Sequence, residues 1–381
     1  MDLYLDNAAT TSLDPEVLES MMPYMINFCG NPSSIHRHGC RAKAAIEKSR
    51  KKIASLFQVT PSEILFTSGG TEGNNMLLTG VVEGMKISHV LTSPLEHLSV
   101  RMPLERLANQ GKITLTYTSV TNTGDIILEE VESWLQNHNH ALVSFMQVNH
   151  EIGNIIDLQK VSKLCQQHNA LLHSDTIQSI YCLSDNFSDP LVQLAVGSAH
   201  KIHGPKGIGF VYVDSKISSI TPLIYGGSQE LNMRGGTENV ASIIGMAKAL
   251  EITFRDRLKI ADHLVTIKKY MIALLKKQIP NIVFNGNSES LIQSSPTMLN
   301  ISLPSLDHKD MLIYNLDIHG ISASTGSACT SGSNIGSQVI TALQKGDSHA
   351  IRFSFSKHTT HLEIEKTVEV LTKLYQKGNL Q

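Results

Sequence analysis

Apolar positions along this chain follow two alternating rhythms. Short runs at Ile64–Phe66, His89–Leu91, Ile113–Tyr117, Ala141–Phe145, Ala170–Leu172 and Ile208–Val213 have the length of strands, and segments between them, such as Leu128–Leu135 and Leu158–His168, carry helical spacing. That order predicts an α/β fold whose mostly parallel sheet is covered by helices. The first helix has a start signal of its own, Asp14 as N-cap with Pro15 at the first helical position, and a basic helix is expected from about Arg41 to Leu56. Beyond Thr237 the residues Ile243, Ala247, Leu250, Phe254, Leu258, Ala261, Leu264, Ile267, Met271 and Leu274 recur at helical spacing, which predicts one very long helix or two in tandem. After Pro280 the pattern resets. A strand at Met298–Leu303, a helix at Met311–Ile318, a Ser/Gly-rich stretch, a strand at Ile351–Phe355 and a helix opened by Thr360 and Glu363 in capping-box register describe a smaller α+β unit.

Composition narrows the function classes. The chain has 381 residues, a formal net charge of −2 and 41% hydrophobic residues, enough for two structural units that share a site. There is no basic excess for nucleic acid or anionic membrane, no apolar run long enough to span a bilayer, and the start Met1-Asp2-Leu3-Tyr4-Leu5-Asp6 lacks the basic and apolar regions of a secretion signal. A cytoplasmic protein is expected. The five cysteines (Cys29, Cys40, Cys165, Cys182 and Cys329) are scattered without a Cys-x-x-Cys pair, so neither a disulfide framework nor a metal site is expected. Most of them read as small buried or half-buried residues. Cys329 is the exception, because Ser, Thr, Gly and Ala from Ser322 to Ser333 offer no apolar shell to keep a thiol inert.

Two polar positions carry the chemistry, one framed by small residues and one at the end of an apolar run. Lys201 closes Gly197-Ser198-Ala199-His200 ahead of Gly204-Pro205-Lys206-Gly207, and Asp175 follows Ala170-Leu171-Leu172, with Gln178 three residues on. Pyridoxal 5'-phosphate (PLP) needs such a pair, a lysine amine for its aldehyde and a carboxylate for its protonated ring nitrogen. Ser68-Gly69-Gly70-Thr71 follows a strand and opens a helix, so free backbone amides, the helix dipole and the Thr71 hydroxyl face a potential phosphate.

Nine ordered segments connect these positions. They are Tyr4-Leu5-Asp6-Asn7-Ala8-Ala9-Thr10-Thr11, Gly30-Asn31-Pro32-Ser33-Ser34, Phe66-Thr67-Ser68-Gly69-Gly70-Thr71-Glu72, Glu96-His97, the Asp175 and Lys201 segments, Arg234-Gly235-Gly236-Thr237, the stretch around Cys329, and Ile351-Arg352-Phe353-Ser354. From end to end the chain resembles the NifS/IscS cysteine desulfurases of the class V aminotransferase family. The resemblance implies a PLP-dependent fold type I enzyme with a mostly parallel seven-stranded sheet. Residues 14–256 would form the large domain, and 1–13 with 257–381 a small domain carrying the catalytic cysteine. It assigns the phosphate to Gly70, Thr71, Ser198 and His200, with Thr237 reaching it from the other subunit of a homodimer. His97 would stack on the cofactor ring and move protons, Gln178 would bond the phenolic oxygen, and Arg352 with Asn31 would bind the substrate carboxylate. Cys329 would take sulfur from L-cysteine as a persulfide, leave L-alanine, and pass the sulfur to an acceptor protein.

One position departs from the family pattern. His150, in Val148-Asn149-His150-Glu151-Ile152-Gly153, stands where the family usually has an asparagine facing the cofactor, and imidazole titrates near neutrality where an amide does not. An aminotransferase or selenocysteine lyase would use the same PLP residues but has no need of Cys329, and a catalytically silent PLP-fold protein has no need of Lys201, Asp175 and Arg352 together. Where the sulfur goes is left open among iron–sulfur assembly, tRNA thiolation, cofactor synthesis and DNA phosphorothioation. Because only one helix follows the Arg352 strand, weak docking to a generic iron–sulfur scaffold and a dedicated acceptor are expected.

Overall fold

The computed structural model describes residues 2–183, 187, 192–303, 312–325, 337–343 and 350–378. Strand β1 (Leu3–Tyr4) is followed by helices α1 (Pro15–Ile26) and α2 (Arg37–Leu56), and then by β2 (Ile64–Thr67), α3 (Gly70–Met85), β3 (His89–Thr92), α4 (Leu98–Asn109) and β4 (Thr114–Tyr117). The alternation continues through α5 (Leu128–Gln136), β5 (Leu142–Ser144), α6 (Leu158–Gln167), β6 (Leu171–Asp175), β7 (Leu194–Ser198) and β8 (Gly209–Val213). Helix α7 (Val240–Gln278) leads to β9 (Val283–Phe284), β10 (Met298–Ser302), α8 (Leu312–Ile318), β11 (Ile321–Ser322), α9 (Gln338–Ala342), β12 (Ala350–Ser354) and α10 (His361–Gly378).

Strands β2 to β8 form one seven-stranded sheet in the order β2-β8-β7-β6-β5-β3-β4. From β7 through β6, β5 and β3 to β4 every pair is parallel, whereas β8 runs antiparallel to both β7 and β2. Two reversals restore direction, so β2 points the same way as β7. The carboxyl ends of β2, β3, β5, β6 and β7 therefore meet at one edge of the sheet, where α3 and α4 begin. Open α/β sheets bind ligands at this edge.

Side-chain alternation along the strands separates two apolar layers. Ile64, Phe66, Leu91, Val143, Leu172 and Phe210 pack on the face covered by α2, α5, α6 and α7, whereas Leu65, Val90, Leu142, Val196 and Val211 pack under α3 and α4. Helix α3 lies tight on the second face, since a Cβ at Gly73 would fall 2.7 Å from Val196 Cγ1. Helix α7 is a single unbroken helix of 39 residues that packs against α1, α2 and α10, with Ile260, Leu264, Ile267, Met271 and Leu275 on its buried face.

A second sheet, β12-β10-β9, is antiparallel, and β1 pairs with β11 while Asp6 bridges Ser354, which ties the N-terminal segment to the C-terminal elements. Two start signals behave as expected: Asp14 accepts from the Glu16 backbone N–H, and Thr360 and Glu363 exchange capping-box bonds. Three differences from the sequence expectations have local causes. Strand β7 was not anticipated, because Leu194-Ala195-Val196-Gly197-Ser198 is buried on both faces and shows no alternation. Helix α2 begins a turn earlier than expected, at Arg37, where the His36 ring accepts from the Gly39 N–H. Cys165 and Cys182 are buried as expected, but Cys29 and Cys40 are exposed.

Candidate active site

A cavity of about 170 Å³ opens at the carboxyl edge of the seven-stranded sheet, and Gly70, Thr71, His97, His150, Asp175, Gln178, Ser198, His200, Lys201 and Arg352 all line it. Ten residues spread over nearly 300 positions of sequence converge, nine of them from segments that follow strands of this sheet or close them and Arg352 from β12 of the smaller sheet.

One end of the cavity is built for an anion. Helix α3 presents its N-terminus there through Gly70 and Thr71, and the Ser198 hydroxyl, at the end of β7, is buried with no partner among the described residues. Buried hydroxyls are normally bonded, so this one marks a missing acceptor or donor. The backbone packs closely here, because a Cβ at Gly70 would sit 2.1 Å from Ile177 Cδ1. His200, in the turn after β7, meets Thr10 Oγ1 at 3.2 Å, and burial, with Lys201 and Lys206 nearby, lowers its pKa to about 4. It is a neutral hydrogen-bonding group at working pH.

The other end holds the amine and the carboxylate. Lys201 Nζ donates to the carbonyls of Ala8 at 2.5 Å and Ala9 at 2.8 Å, so the N-terminal segment aims the amine. Gln178 Nε2 donates to the same Ala8 carbonyl at 3.0 Å. Asp175 closes β6 with one oxygen accepting from the Ile177 N–H at 3.0 Å and the other from Asn74 Nδ2 at 2.8 Å. Beneath it lie two buried titratable groups. His173 is driven to a pKa of about 4 by burial against the pull of Asp175, and Glu96 is pushed well above the carboxylate range by burial, despite the Met146 N–H it accepts, with Asp175 adding repulsion.

His97 caps helix α4 with its ring: Nδ1 accepts from the Ser99 N–H at 3.1 Å and lies 2.8 Å from the Ser99 hydroxyl. The ring meets His150 edge to face, with centroids 5.1 Å apart. His150 Nε2 lies 3.5 Å from Glu151 Oε1, and its Nδ1 is buried without a partner among the described residues. Burial raises the Glu151 carboxyl, but bonds to His150 and Ser337 and the charge of Arg352 outweigh that and hold it below its ordinary value. Arg352 is almost fully buried in β12, where Nη1 donates to the His150 carbonyl at 2.6 Å and Nη2 to Asp6 Oδ1 at 2.9 Å; Nε has no partner among the described residues. An ion pair and a cavity position coexist in this residue.

Two expected site residues lie elsewhere in the single chain. Asn31 does not line the cavity; its side chain accepts from the Ser33 N–H in a turn before α2. Thr237 is exposed and does not line it either. Cys329 falls outside the described residues. Residues that sequence reasoning passed over are Asn74, Ser99, Ile177 and Asp6, together with the carbonyls of Ala8 and Ala9. Asn74 and Ser99 are polar helix residues that carry no local site signal, and only their burial reveals them.

The donor set fits PLP: an anion cradle at a helix N-terminus with an unpartnered hydroxyl, an aimed lysine amine, and a buried, doubly bonded carboxylate share one cavity. With a matching family model for aminotransferase class V covering residues 3–367, the chain belongs to the class V aminotransferase family and is a PLP-dependent enzyme of fold type I. It is similar to the cysteine desulfurase IscS of Dictyoglomus turgidum, at 38% identity over 99% of this chain and 95% of that protein. Among solved structures, a NifS-like protein matches with a TM-score of 0.90 and 32% identity over the whole of both chains. SspA in complex with cysteine matches with a TM-score of 0.80 and 28% identity over 94% of this chain and all of that one.

Proposed function

We propose that the protein is a cysteine desulfurase that converts L-cysteine to L-alanine and carries the sulfur on Cys329 as a persulfide to an acceptor protein. The observation that carries this reading is the convergence of Lys201, Asp175, His97 and Arg352 on one cavity in a chain 38% identical to an IscS. When bound, PLP supplies an aldehyde that links to amines and a ring that withdraws electrons from the substrate α-carbon. Gly70, Thr71, Ser198 and His200 would hold its phosphate, Asp175 would keep the proton on its ring nitrogen, and Gln178 and His150 would bond its phenolic oxygen.

The remaining work belongs to side chains. Arg352 binds the cysteine carboxylate through two parallel hydrogen bonds. Lys201 Nζ, steered by the Ala8 and Ala9 carbonyls, takes the α-proton. The Cys329 thiolate then attacks the substrate sulfur: a sulfur–sulfur bond forms, the Cβ–S bond breaks and its electron pair passes to Cβ; Lys201 returns the α-proton to Cα, and Cβ takes up a further proton, which completes alanine. His97 carries that proton. Thr237 completes the phosphate site from the second subunit of a homodimer, which accords with its exposure in the single chain. Residues 14–256 form the large domain, and 1–13 with 257–381 the small one, a division supported by the pairing of β1 with β11. Among the described residues no helix is long and apolar enough to cross a membrane, and the enzyme works in the cytoplasm.

Cys329→Ala tests the reading. PLP and cysteine should still bind, while alanine formation and sulfur transfer collapse. Alanine release at the wild-type rate would point instead to a lyase or transaminase.

A further inference from the structure

We infer that Asn74 and Ser99 are positioning residues that hold the neutral imidazole of His97 in the tautomer protonated on Nε2, an inference that rests on the proton-carrying role proposed for His97. A chain of short hydrogen bonds joins the four side chains. Asn74 Nδ2 lies 2.8 Å from Asp175 Oδ2 and 2.8 Å from Ser99 Oγ, and Ser99 Oγ lies 2.8 Å from His97 Nδ1. Asn74 is fully buried, and Ser99 and Asp175 are nearly so.

The direction of every bond follows from one end. An ionised carboxylate only accepts, so Asn74 must turn its amide nitrogen toward Asp175. The second N–H of that nitrogen then donates to Ser99 Oγ, which frees the Ser99 hydroxyl proton to point onward at His97 Nδ1. The Ser99 backbone N–H points at the same atom from 3.1 Å. Two donors converge on Nδ1, so it is the acceptor and the ring proton sits on Nε2. This orientation leaves Asn74 Oδ1 buried and unpartnered among the described residues, and the reverse orientation would instead press it against a carboxylate. The acceptor character of Asp175 thus reaches His97 through two neutral side chains and sets which ring nitrogen offers a proton. The other titratable groups lining the cavity are His150, whose ring meets that of His97 edge to face, His200, Lys201 and Arg352.

The test uses PLP-loaded enzyme labelled with ¹⁵N-histidine, with the His97 resonances identified by their loss in His97→Gln. Wild type should show His97 with Nδ1 unprotonated and Nε2 protonated near pH 8. Ser99→Ala keeps the backbone donor but removes the hydroxyl. It should mix the tautomers, lower kcat for alanine formation roughly tenfold with little change in KM, and shift the pH profile, whereas Ser99→Thr restores all three. Asn74→Leu should act in the same direction. A wild-type spectrum with the proton on Nδ1, or Ser99→Ala with unchanged kcat and pH profile, would overturn the proposal. Full turnover by His97→Gln would count against the proton-carrying role alone, and the spectrum would still decide the tautomer.

Discussion

The close approach of Gly70 to Ile177 makes a quantitative prediction about the cofactor site. Alanine at position 70 would place a methyl carbon 2.1 Å from Ile177 Cδ1 and 3.3 Å from Cγ1, and Ile177 itself lines the cavity. Such overpacking costs ~1–3 kcal/mol, partly offset by the ~0.4–1 kcal/mol that Gly→Ala returns through the unfolded chain. Gly70→Ala should therefore lose about 1–2 kcal/mol, and because the clash lies at the phosphate end, PLP affinity should weaken on the order of tenfold. Ile177→Val removes the clashing Cδ1 and alone should cost ~0.5–1.5 kcal/mol. The double variant should recover most of the loss, giving a favourable coupling of about 1–2 kcal/mol in a double-mutant cycle. Denaturant titration of the apoprotein and absorbance titration with PLP measure the two effects separately. Additivity within ~0.5 kcal/mol in both assays would refute the close approach.

Three further outcomes are expected. Lys201→Ala should lose the visible band of the lysine-linked cofactor and all turnover; a reducible linkage to another lysine would show that the amine is misassigned. His150→Asn should change how the visible PLP band responds to pH, because it removes a titrating neighbour, and superimposable titrations would show that His150 does not couple to the cofactor. His173, His200 and His203 have folded pKa values near 4 against 6.5 for an unperturbed histidine, so the unfolded chain binds more protons between those values. Their contribution to stability is present above pH ~6.5 and lost as pH falls toward ~4. His173→Asn should flatten that decline in thermal melts across the same window, and an unchanged slope would contradict the burial argument.

Much of the architecture is legible in one dimension because it is periodic. Residues that alternate in the sheet, such as Ile64 and Phe66 against Leu65, alternate in the sequence too, and the starts at Asp14-Pro15 and at Thr360 with Glu363 depend only on neighbours within one turn. Asp175 and Arg352 are recognisable because each closes or occupies a strand-like run, and Lys201 and His97 because each stands in a distinctive motif. Strand β7 escaped because a strand buried on both faces has no period to read. The polar chain behind His97 escaped for a deeper reason: its links join residues 25 and 101 positions apart, and nothing local distinguishes Asn74 from a solvated helix residue. Asn31 and Thr237, grouped with the site by motif, stand away from the cavity of their own chain. Local periodicity and end signals are properties of the sequence because they arise from neighbouring residues. Which polar groups share a buried hydrogen bond is decided by the parallel register that brings the ends of β2, β3, β6 and β7 to one edge, and that register exists only once the sheet has assembled.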